Sequence, residues 1–561
     1  MKKTAKLLAL LLALAMMMAM LAGCSKDNDT TEPTEGESDP VAHTAQEKRL
    51  LEDRHLIVAV GAEGDGLDPG ASGDSISQMI IPHMYEGLFS FDEDGNLYNV
   101  LCESYTVSED LMTYEFKLRE DAYWMDGEQI TMDQVYYGMM RPLNAELNSS
   151  YAKFMFYIVG AEAVYLDPTI SKDTIGVEVL DDFNMRITLN EPCAYFPQLV
   201  ARSTMWPLRE DFAPEKDVTW AKDPTKAIAS GAYYLSEYTP NGSVVVEKNP
   251  NYRDADKVFF EKITFLFMAD AQAQVNAYKT GQIDIAQQTP TDIRANAEFA
   301  DSPEVYEVPI IVNYYVTMDQ TGGIPVLNDV RVRKALNYAI DRELLCDILN
   351  GTETPLYGIV PPGIVNPATD MDFRAEGGNL AKYDLEEAKH LLAEAGFPNG
   401  EGFPTLTYIY NSNQRHDDTA TTLKEMWGQL GITVELAMRD WSIFLEERSY
   451  TGKFEIARHA MSADYSDPTT YLGMYNSTST QNEAHVNDAE YDALYNAAAL
   501  EYDIGKRMEL LHDAEKVLIE DQSYLIPLFS YGYLHLIKTG LTGYESDPSG
   551  SVLFSFATFE K

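Results

Sequence analysis

The chain has 561 residues, of which 45% are hydrophobic, and its 89 acidic against 42 basic residues give a formal net charge of −47. This acidity excludes nucleic-acid binding, which needs lysine and arginine clustered against phosphates. The length predicts two or three domains, and the hydrophobic content is typical of a soluble globular body. We interpret the acidic surface as a solubility feature, with enrichment of cationic ligands around the body as the alternative.

The N-terminus carries the first clear signal. Three lysines within the first six residues precede an uncharged apolar run over residues 7–20, which ends in Leu-Ala-Gly-Cys at residues 21–24. A basic start, a short apolar core and small residues at its end are typical of a secretory signal, whereas a membrane-spanning helix needs about 20 apolar residues. We therefore expect residues 1–23 to be a signal peptide and the protein to be exported.

The end of this signal also resembles the bacterial lipoprotein cleavage box, although a chance cysteine after a plain signal peptide is the alternative. The resemblance implies that Cys24 becomes the mature N-terminus and carries a diacylglycerol, and two acyl chains anchor a protein stably. Residues 24–48 are largely polar and predict a flexible tether with an r.m.s. span of about 25 Å. The expected location is the outer face of the cytoplasmic membrane in a cell without an outer membrane.

Several elements of the body can be predicted from local patterns. Residues 92–95 predict a hairpin turn, and apolar residues alternate with charged ones over residues 113–119, which predicts a half-buried strand. Asp329 begins a predicted helix whose apolar residues recur at helical spacing as far as Ile348. Asp384, with a glutamate three residues later, predicts the start of another helix, which a glycine at position 396 ends.

Cysteine and histidine spacing predicts neither a cofactor nor a metal site. Besides Cys24 the chain has Cys102, Cys193 and Cys346, which are widely spaced and contain no Cys-x-x-Cys pair. Three buried thiols, or one disulfide with one free thiol, are equally compatible with this pattern. The nine histidines include no pair spaced for a zinc site.

Sequence signals for catalysis are poor. Gly73-Asp74-Ser75 is similar to the nucleophile segment of secreted esterases, but that chemistry also needs a downstream Asp-x-x-His pair, which the sequence lacks. Gly64 and Gly66 begin a dinucleotide-binding pattern in which Pro69 occupies the place of the third glycine. We expect a protein that is not an enzyme, and hydrolysis by Ser75 is the alternative to be tested.

Seven short segments are spread along the body in order. They are Gly66-Leu67-Asp68-Pro69, Tyr85-Glu86-Gly87-Leu88, Tyr114 to Arg119, Trp124 with Asp126-Gly127-Glu128 and Thr131, Gly231-Ala232-Tyr233, Gly281 with Asp284, and Asn328 to Leu336. Together they resemble the family 5 extracellular solute-binding proteins of bacterial ABC importers, in particular the oligopeptide-binding group. The resemblance implies an α/β fold, a periplasmic-binding-protein-like (type II) clamshell with an additional inserted domain.

The resemblance also implies three lobes built from discontinuous parts of the chain. The first lobe would comprise residues 49–85, 205–311 and 526–561, the second lobe the inserted residues 86–204, and the third lobe residues 312–525. Ligand is expected between the first and third lobes, which close around it by a hinge motion.

The function that the resemblance implies is capture of peptides and their delivery to a membrane ABC importer. The expected partners are peptides, a permease with its ATPase subunits and, through the N-terminal lipid, the membrane; the receptor itself is expected to be a monomer. Within the same fold the alternatives are receptors for metal chelates, haem or oligosaccharides. A sensor that presents signalling peptides is a further alternative.

The segment Ala463-Asp464-Tyr465 narrows the expected ligand. In oligopeptide-binding members an aspartate at this place holds the α-ammonium of the ligand, after a strand that pairs with the ligand backbone, so the resemblance assigns that role to Asp464. The resemblance assigns further ligand contacts to Gly73, Asp74, Ser75, Tyr151, Gln287, Gln288, Tyr314, His416, Trp441, Arg448, Arg458, Met461, Ser462 and Ala463. Among these, His416, Arg448 and Arg458 match basic groups that meet ligand carboxylates.

Two positions depart from the best-known members of the family. Met461 replaces a tryptophan, and Ser462 replaces a cysteine that forms a disulfide. We therefore expect that disulfide to be absent and one ligand pocket to differ in shape. Side-chain preference cannot be transferred from the family.

Overall fold

The N-terminal region differs from its prediction at one boundary. The computed structural model describes residues 44–92, 95–149, 151–290, 292–308, 310–450, 452–479, 481–546 and 550–560. The predicted signal peptide, Cys24 and most of the predicted tether lie outside these residues. A helix over Ala45–Leu51 begins inside the predicted tether, because Gln46 Nε2 and Arg49 Nη2 donate hydrogen bonds of 2.9 and 2.6 Å to the Asp284 carboxylate.

Helices and strands are mixed along the whole described chain. The α-helices are α1 Ala45–Leu51, α2 Ser75–Met84, α3 Met132–Met140, α4 Ala161–Leu166, α5 Phe196–Val200, α6 Ala271–Lys279, α7 Val330–Tyr338, α8 Arg342–Leu349, α9 Phe373–Gly377, α10 Leu385–Glu394, α11 Gln414–Gly428, α12 Trp441–Leu445, α13 Thr469–Leu472, α14 Ala489–Leu500 and α15 Ile504–Lys516. Within the described ranges, none of the helices is long and apolar enough to cross a membrane.

The strands are mostly short. They are β1 His55–Val60, β2 Phe89–Phe91, β3 Leu97–Asn99, β4 Cys102–Val107, β5 Thr113–Leu118, β6 Val177–Asp181, β7 Asn184–Thr188, β8 Tyr233–Thr239, β9 Ser243–Lys248, β10 Lys262–Phe267, β11 Ile285–Ala286, β12 Val305–Val308, β13 Val312–Met318, β14 Thr354–Pro355, β15 Val365–Asn366, β16 Met371–Asp372, β17 Leu406–Asn411, β18 Val434–Arg439, β19 Ile456–Ser462, β20 Leu525–Ser530, β21 Tyr533–Ile537, β22 Leu541–Thr542, β23 Glu545–Ser546, β24 Val552–Leu553 and β25 Thr558–Phe559. The predicted α/β class is confirmed.

The largest sheet has seven strands in the order β12-β21-β11-β1-β10-β9-β8. Its central strand β1 is parallel to both β10 and β11, with Val58 opposite Phe265 on one side and Ile285 on the other. The remaining pairs are antiparallel. Because the chain leaves β1 and β11 at the same edge of this sheet, the residues after them are brought together.

Two further sheets are built from other parts of the chain. An antiparallel sheet, β4-β5-β7-β6, lies within residues 102–188, and a six-stranded sheet has the order β14-β20-β13-β19-β17-β18. Strand β20 pairs with β13 and β14, so the chain leaves the third-lobe sheet after Ser530 rather than at residue 526. These separate sheets support the three-lobe division, which stays a prediction.

Most of the locally predicted elements are confirmed. The predicted strand is β5. Strands β2 and β3 pair antiparallel on either side of the predicted hairpin turn, and the Gly95 backbone donates a 3.0 Å hydrogen bond to the Asp92 carbonyl; residues 93 and 94 lie outside the described residues. Asp384 Oδ1 accepts a hydrogen bond of 3.1 Å from the Glu387 backbone and so begins α10. The single helix predicted from Asp329 to Ile348 is wrong: Asp341 accepts a 3.1 Å bond from the Leu344 backbone and starts a second helix, α8.

The three cysteines of the described body are free thiols. Cys102, Cys193 and Cys346 are all buried and unpaired. Of the two alternatives left open by their spacing, three buried thiols is therefore the correct one.

A buried ion pair joins the predicted first lobe to the predicted second lobe. Arg141 Nη1 and Nη2 each donate a 2.7 Å hydrogen bond to the Asp68 carboxylate, and the exposed fractions of the two side chains are 0% and 1%. Trp220 Nε1 and the Gly70 backbone also donate to this carboxylate, at 2.9 and 3.0 Å. Arg141 in turn donates to the backbone carbonyls of Pro214 and Asp217. Nearly every donor and acceptor of the pair is satisfied.

We expect Asp68→Asn to lower the free energy of unfolding by about 3–5 kcal/mol, because the substitution leaves the Arg141 charge buried without a counter-charge. Asp121→Asn is the control, since Asp121 forms a comparable two-contact pair with Arg119 at the surface, where the expected loss is below about 1 kcal/mol. Urea denaturation of both variants measures the difference. If both variants lost the same free energy of unfolding, the buried Asp68–Arg141 pair would be no more important for stability than the surface pair.

Candidate functional site

A cavity of about 300 Å³ opens where β1, β11 and β19 end. It is lined by Gly61, Gly73, Ser75, Ile76, Gln78, Met79, Tyr151, Arg202, Gln287, Gln288, Ser462, Ala463, Asp464, Tyr533, His535, Gly550 and Ser551. Gly61 and Gln287 follow strands of the seven-stranded sheet, whereas Ser462 ends a strand of the six-stranded sheet. Tyr151 and Arg202 belong to the predicted second lobe, which therefore also lines a cavity that we expected between the first and third lobes.

The structure brings eight of the predicted ligand contacts to this cavity. They are Gly73, Ser75, Tyr151, Gln287, Gln288, Ser462, Ala463 and Asp464. The Tyr151 hydroxyl donates a 3.3 Å hydrogen bond to the Gly73 carbonyl, which fixes the loop before α2 against the second lobe. Segments far apart in the sequence thus share one surface.

Asp464 lies just beyond the end of β19, with a quarter of its side chain exposed. Its backbone N–H donates to Thr470 Oγ1 at 3.1 Å. Among the described residues, the cation nearest to its carboxylate is Lys153, whose Nζ is 3.9 Å from Oδ2. Such a long contact with a half-exposed lysine contributes little, so the carboxylate can still accept a cationic partner from the cavity.

Gln287 has a buried side chain whose Oε1 and Nε2 both lack a hydrogen-bond partner. The buried Gln274 nearby is fully paired: its Nε2 donates to the carbonyls of Val60 and Met268, and its Oε1 accepts from the Gln288 backbone. An unpaired buried amide costs about 1–3 kcal/mol. A ligand that carries both donors and acceptors would remove this cost.

A second cavity of about 290 Å³ continues from the first. The two share Gln287, Gln288 and Tyr533, and the second extends to Asn413 and Arg415 at the start of α11. Arg415 forms a 2.5 Å ion pair with the buried Glu353. We call the two adjoining cavities the cleft; they lie between strands of the seven-stranded sheet and the start of helix α11.

Arg458, a predicted carboxylate partner, lies away from both cavities in an aromatic cluster. Its Nε and Nη2 donate hydrogen bonds of 2.8 and 2.5 Å to Asn411 Oδ1, and its guanidinium is 5.7 Å from the Trp441 ring and 5.2 Å from the Phe444 ring. Within the described chain no carboxylate comes within 4 Å of it. Burial lowers the pKa of Arg458. The half-exposed Trp441 covers this buried and uncompensated cation.

His416 does not have the basic character that we expected. Burial, together with the nearby guanidinium groups of Arg458 and Arg415, lowers the pKa of His416 to about 3. Its Nδ1 lies 3.0 Å from the hydroxyl oxygen of Tyr314. His416 is therefore a neutral hydrogen-bonding group near pH 7. Tyr314 is fully buried, with its ring 4.5 Å from that of Phe529, and it lines neither cavity.

Three other predicted contacts already have partners within the protein. Arg448 forms a 2.7 Å ion pair with Glu483. Asp74 begins α2, because its Oδ1 accepts 3.0 Å hydrogen bonds from two backbone N–H groups of that helix. Met461 lies in β19, where its backbone N–H donates to Asn313 Oδ1. Their predicted ligand contacts stay predictions.

The sequence reasoning missed Arg202 and His535 as residues of the cavity. His535 lies on β21; burial lowers its pKa to about 4, and its Nδ1 has no partner. Arg202 has a buried Nε without an acceptor. A single arginine or histidine outside any motif gives no sequence signal, so only the fold reveals these two positions.

The third-lobe wall of the cavity also contacts the second lobe through aromatic rings. The Tyr465 ring, directly after Asp464, stacks on Tyr195 with centroids 4.8 Å apart and planes 5° apart, and it meets the edge of Phe154 at 6.2 Å. Arg507 lies 5.2 Å from the Tyr195 ring and donates two 2.8 Å hydrogen bonds to Asp467. The position of Asp464 is thus coupled to the second lobe.

Comparisons with known proteins agree with this architecture. Residues 96–483 match the family model of the bacterial extracellular solute-binding proteins, family 5 Middle. The periplasmic oligopeptide-binding protein OppA of Escherichia coli is 30% identical over 505 residues, which cover 89% of this chain and 91% of that protein. The dipeptide-binding protein DppE of Bacillus subtilis is 28% identical over 561 residues, which cover 99% of both chains.

Solved structures show the same fold. The unliganded open form of the murein tripeptide-binding protein MppA superposes with a TM-score of 0.75 at 28% identity, over 90% of this chain and 97% of that one. The periplasmic oligopeptide-binding protein OppAIV of Borrelia burgdorferi gives a TM-score of 0.74 at 28% identity, over 90% and 100% of the two chains. The type II clamshell predicted from the sequence is confirmed. The chain belongs to the family 5 bacterial extracellular solute-binding proteins.

Proposed function

We propose that this protein captures short peptides outside the cell and delivers them to a membrane ABC importer. The observation that carries the proposal is the Asp464 carboxylate, which faces the cavity with only a 3.9 Å contact to Lys153. A peptide has one free α-ammonium, and a partly buried carboxylate is its natural counter-charge. Transport energy would come from a separate permease and its ATPase subunits, since the family is one of binding proteins.

The rest of the ligand has suitable partners along the cleft. The backbone of Ser462 ends β19 at the wall of the cavity, where an extended peptide can add main-chain hydrogen bonds. The unpaired amide of Gln287 offers one donor and one acceptor to a ligand peptide group. Arg458, which lies outside the cleft and has no carboxylate within 4 Å among the described residues, would take the terminal carboxylate of a ligand long enough to extend beyond the cleft.

The tethered location belongs to the same proposal. We infer that Cys24 is the lipidated N-terminus and that the tether keeps the body near its permease on the outer face of the cytoplasmic membrane. The support is the Leu-Ala-Gly-Cys sequence at residues 21–24 and the polar composition that follows it.

Asp464→Asn should weaken binding of free-amine peptides by about 10- to 100-fold, because a charge-assisted hydrogen bond is lost. Acetylating the peptide N-terminus should weaken binding to the wild-type protein to a similar degree and have little further effect on the variant. Titration calorimetry with an alanine peptide series measures both. Glu120→Gln, which changes an exposed acid of the second lobe, is the control. If acetylation leaves the affinity of the wild-type protein unchanged, the role of Asp464 is wrong.

Gln287→Leu should leave the free energy of unfolding equal to or higher than that of the wild type, because the amide makes no hydrogen bond in the unliganded protein. The same variant should bind peptide about 5- to 10-fold more weakly. Gln274→Leu is the matched control: it removes three paired contacts and should cost about 2–3 kcal/mol of stability. Urea denaturation and calorimetry test both variants. A destabilised Gln287→Leu with unchanged affinity would contradict the proposed contact.

Cys24→Ser should release an intact, peptide-binding protein into the medium, because the anchor would be lost while the body is unchanged. Fractionation of cells into membrane and medium, followed by mass spectrometry of the N-terminal peptide, measures this. Retention of the variant on the membrane would show that Cys24 is not the anchor.

A further inference from the structure

Arg202 is held in place on the second lobe beside the cavity. It precedes a short 3-10 helix, Ser203–Met205. The Ser203 hydroxyl lies within hydrogen-bond distance of two acceptors of the first lobe, the Pro69 carbonyl at 3.2 Å and Gln78 Oε1 at 3.0 Å. The Trp206 indole donates to the Ala201 carbonyl at 2.8 Å. The backbone on both sides of Arg202 is therefore fixed against the first lobe, and its side chain emerges from a rigid base.

The side chain of Arg202 reaches the ligand cavity and also lines a smaller neighbouring cavity of about 90 Å³. Its Nη2 makes one long hydrogen bond, 3.4 Å, to the Ala463 carbonyl, and its Nε is buried without an acceptor. In the part of the chain that the structure describes, no carboxylate lies within 4 Å of this guanidinium. An ionised group with unmet donors is costly next to a cavity unless a ligand supplies the acceptor.

Two buried arginines of this protein have guanidinium groups paired with a carboxylate and serve as a comparison for the partly buried Arg202. Arg141 and Arg507 each grip one carboxylate with two hydrogen bonds of 2.7–2.8 Å, to Asp68 and Asp467 respectively. The chain has about two acidic residues for every basic one, so a carboxylate partner would be easy to provide. Among the described residues none is placed at Arg202, so the planar fork of donors stays largely open, and that fork fits a carboxylate from outside the protein.

The place of Arg202 relative to Asp464 indicates which ligand carboxylate it meets. Arg202 contacts Ala463, the residue directly before Asp464, and both side chains line the same cavity. Arg202 and Asp464 can therefore bind two groups of the same ligand residue: its α-ammonium at Asp464 and a side-chain carboxylate at Arg202. The C-terminal carboxylate of a peptide would lie further along the cleft, in the direction of Arg415.

We infer that Arg202 is a specificity-determining residue that binds an acidic side chain on the first residue of the peptide. The inference rests on the proposed function, because it takes Asp464 as the site of the α-ammonium. The second lobe then does more than enclose the cleft: it selects among ligands whose main chains are held by the other two lobes.

The test compares peptides that differ only in the first side chain. Titration calorimetry of the full mature chain would use Glu-first and Gln-first members of an alanine series of three to five residues, which have nearly the same shape and differ in charge. We expect the wild-type protein to bind the Glu-first peptide about 10-fold or more tightly. In Arg202→Gln the ratio of the two affinities should fall to near one, and Arg202→Lys, which keeps the charge but loses the fork, should give an intermediate ratio.

Lys153→Met is the matched control, since Lys153 is the other second-lobe cation beside Asp464. This variant should change the two affinities together and preserve their ratio. A wild-type ratio near one, or a ratio that Arg202→Gln leaves unchanged, would overturn the role of Arg202 while leaving peptide capture in place. If neither peptide of any length binds the wild-type protein, the proposed function itself fails.

Discussion

The buried pair of Asp68 and Arg141 is the interaction on which the arrangement of the cleft depends. Its carboxylate accepts from two guanidinium nitrogens, an indole and a backbone amide, and its guanidinium also binds two carbonyls of the segment that returns from the second lobe. The loop over residues 73–75 begins only a few residues after Asp68, and Tyr151 holds it from the other side. Two charges without solvent are tolerated here because every one of these bonds is made together. The ion pair thus fixes one wall of the cleft relative to the inserted lobe.

Buried ion pairs of the scaffold are hydrogen-bonded within the protein, whereas several polar groups around the cleft have no partner in the described part of the chain. The buried ions of the scaffold, such as Arg507 with Asp467, have short and complete partners. Around the cleft, by contrast, Gln287 and Arg202 keep donors or acceptors that the described residues do not match. In a protein of net charge −47, an arginine without a nearby carboxylate is unusual, because acidic side chains are abundant. The unmet groups describe the complement of a zwitterionic, amide-bearing ligand.

Local sequence patterns predicted those elements whose causes are local. Alternation was sufficient for β5, and the side chain of Asp384 was sufficient to locate the start of α10. The same reasoning joined α7 and α8 into one helix, because the apolar periodicity continues through the break between them. The only local signal for a second helix is Asp341, whose side chain accepts a hydrogen bond from the Leu344 backbone. Tyr314 was expected at the ligand, but its ring packs inward against Phe529, and a single sequence does not reveal which face of a fully buried strand meets the cleft.

The composition of the cavity wall was predictable only in part, and for a physical reason. Motif resemblance identified Asp464, Gln287 and the loop over residues 73–75, because each lies in a recognisable segment. Arg202 and His535 belong to no motif, and what distinguishes them is a missing partner, which is a property of three-dimensional neighbours. The pKa of His416 is likewise set by burial and by guanidinium groups distant in sequence, so its neutral state could not be predicted from residue type.

The contacts of the Tyr465 ring with Tyr195 and Phe154 have a consequence for the protein without ligand. Any motion that carries Asp464 away from the second lobe must also separate these rings and expose them to water. Separating these rings therefore carries a hydrophobic cost that is the same with and without a ligand.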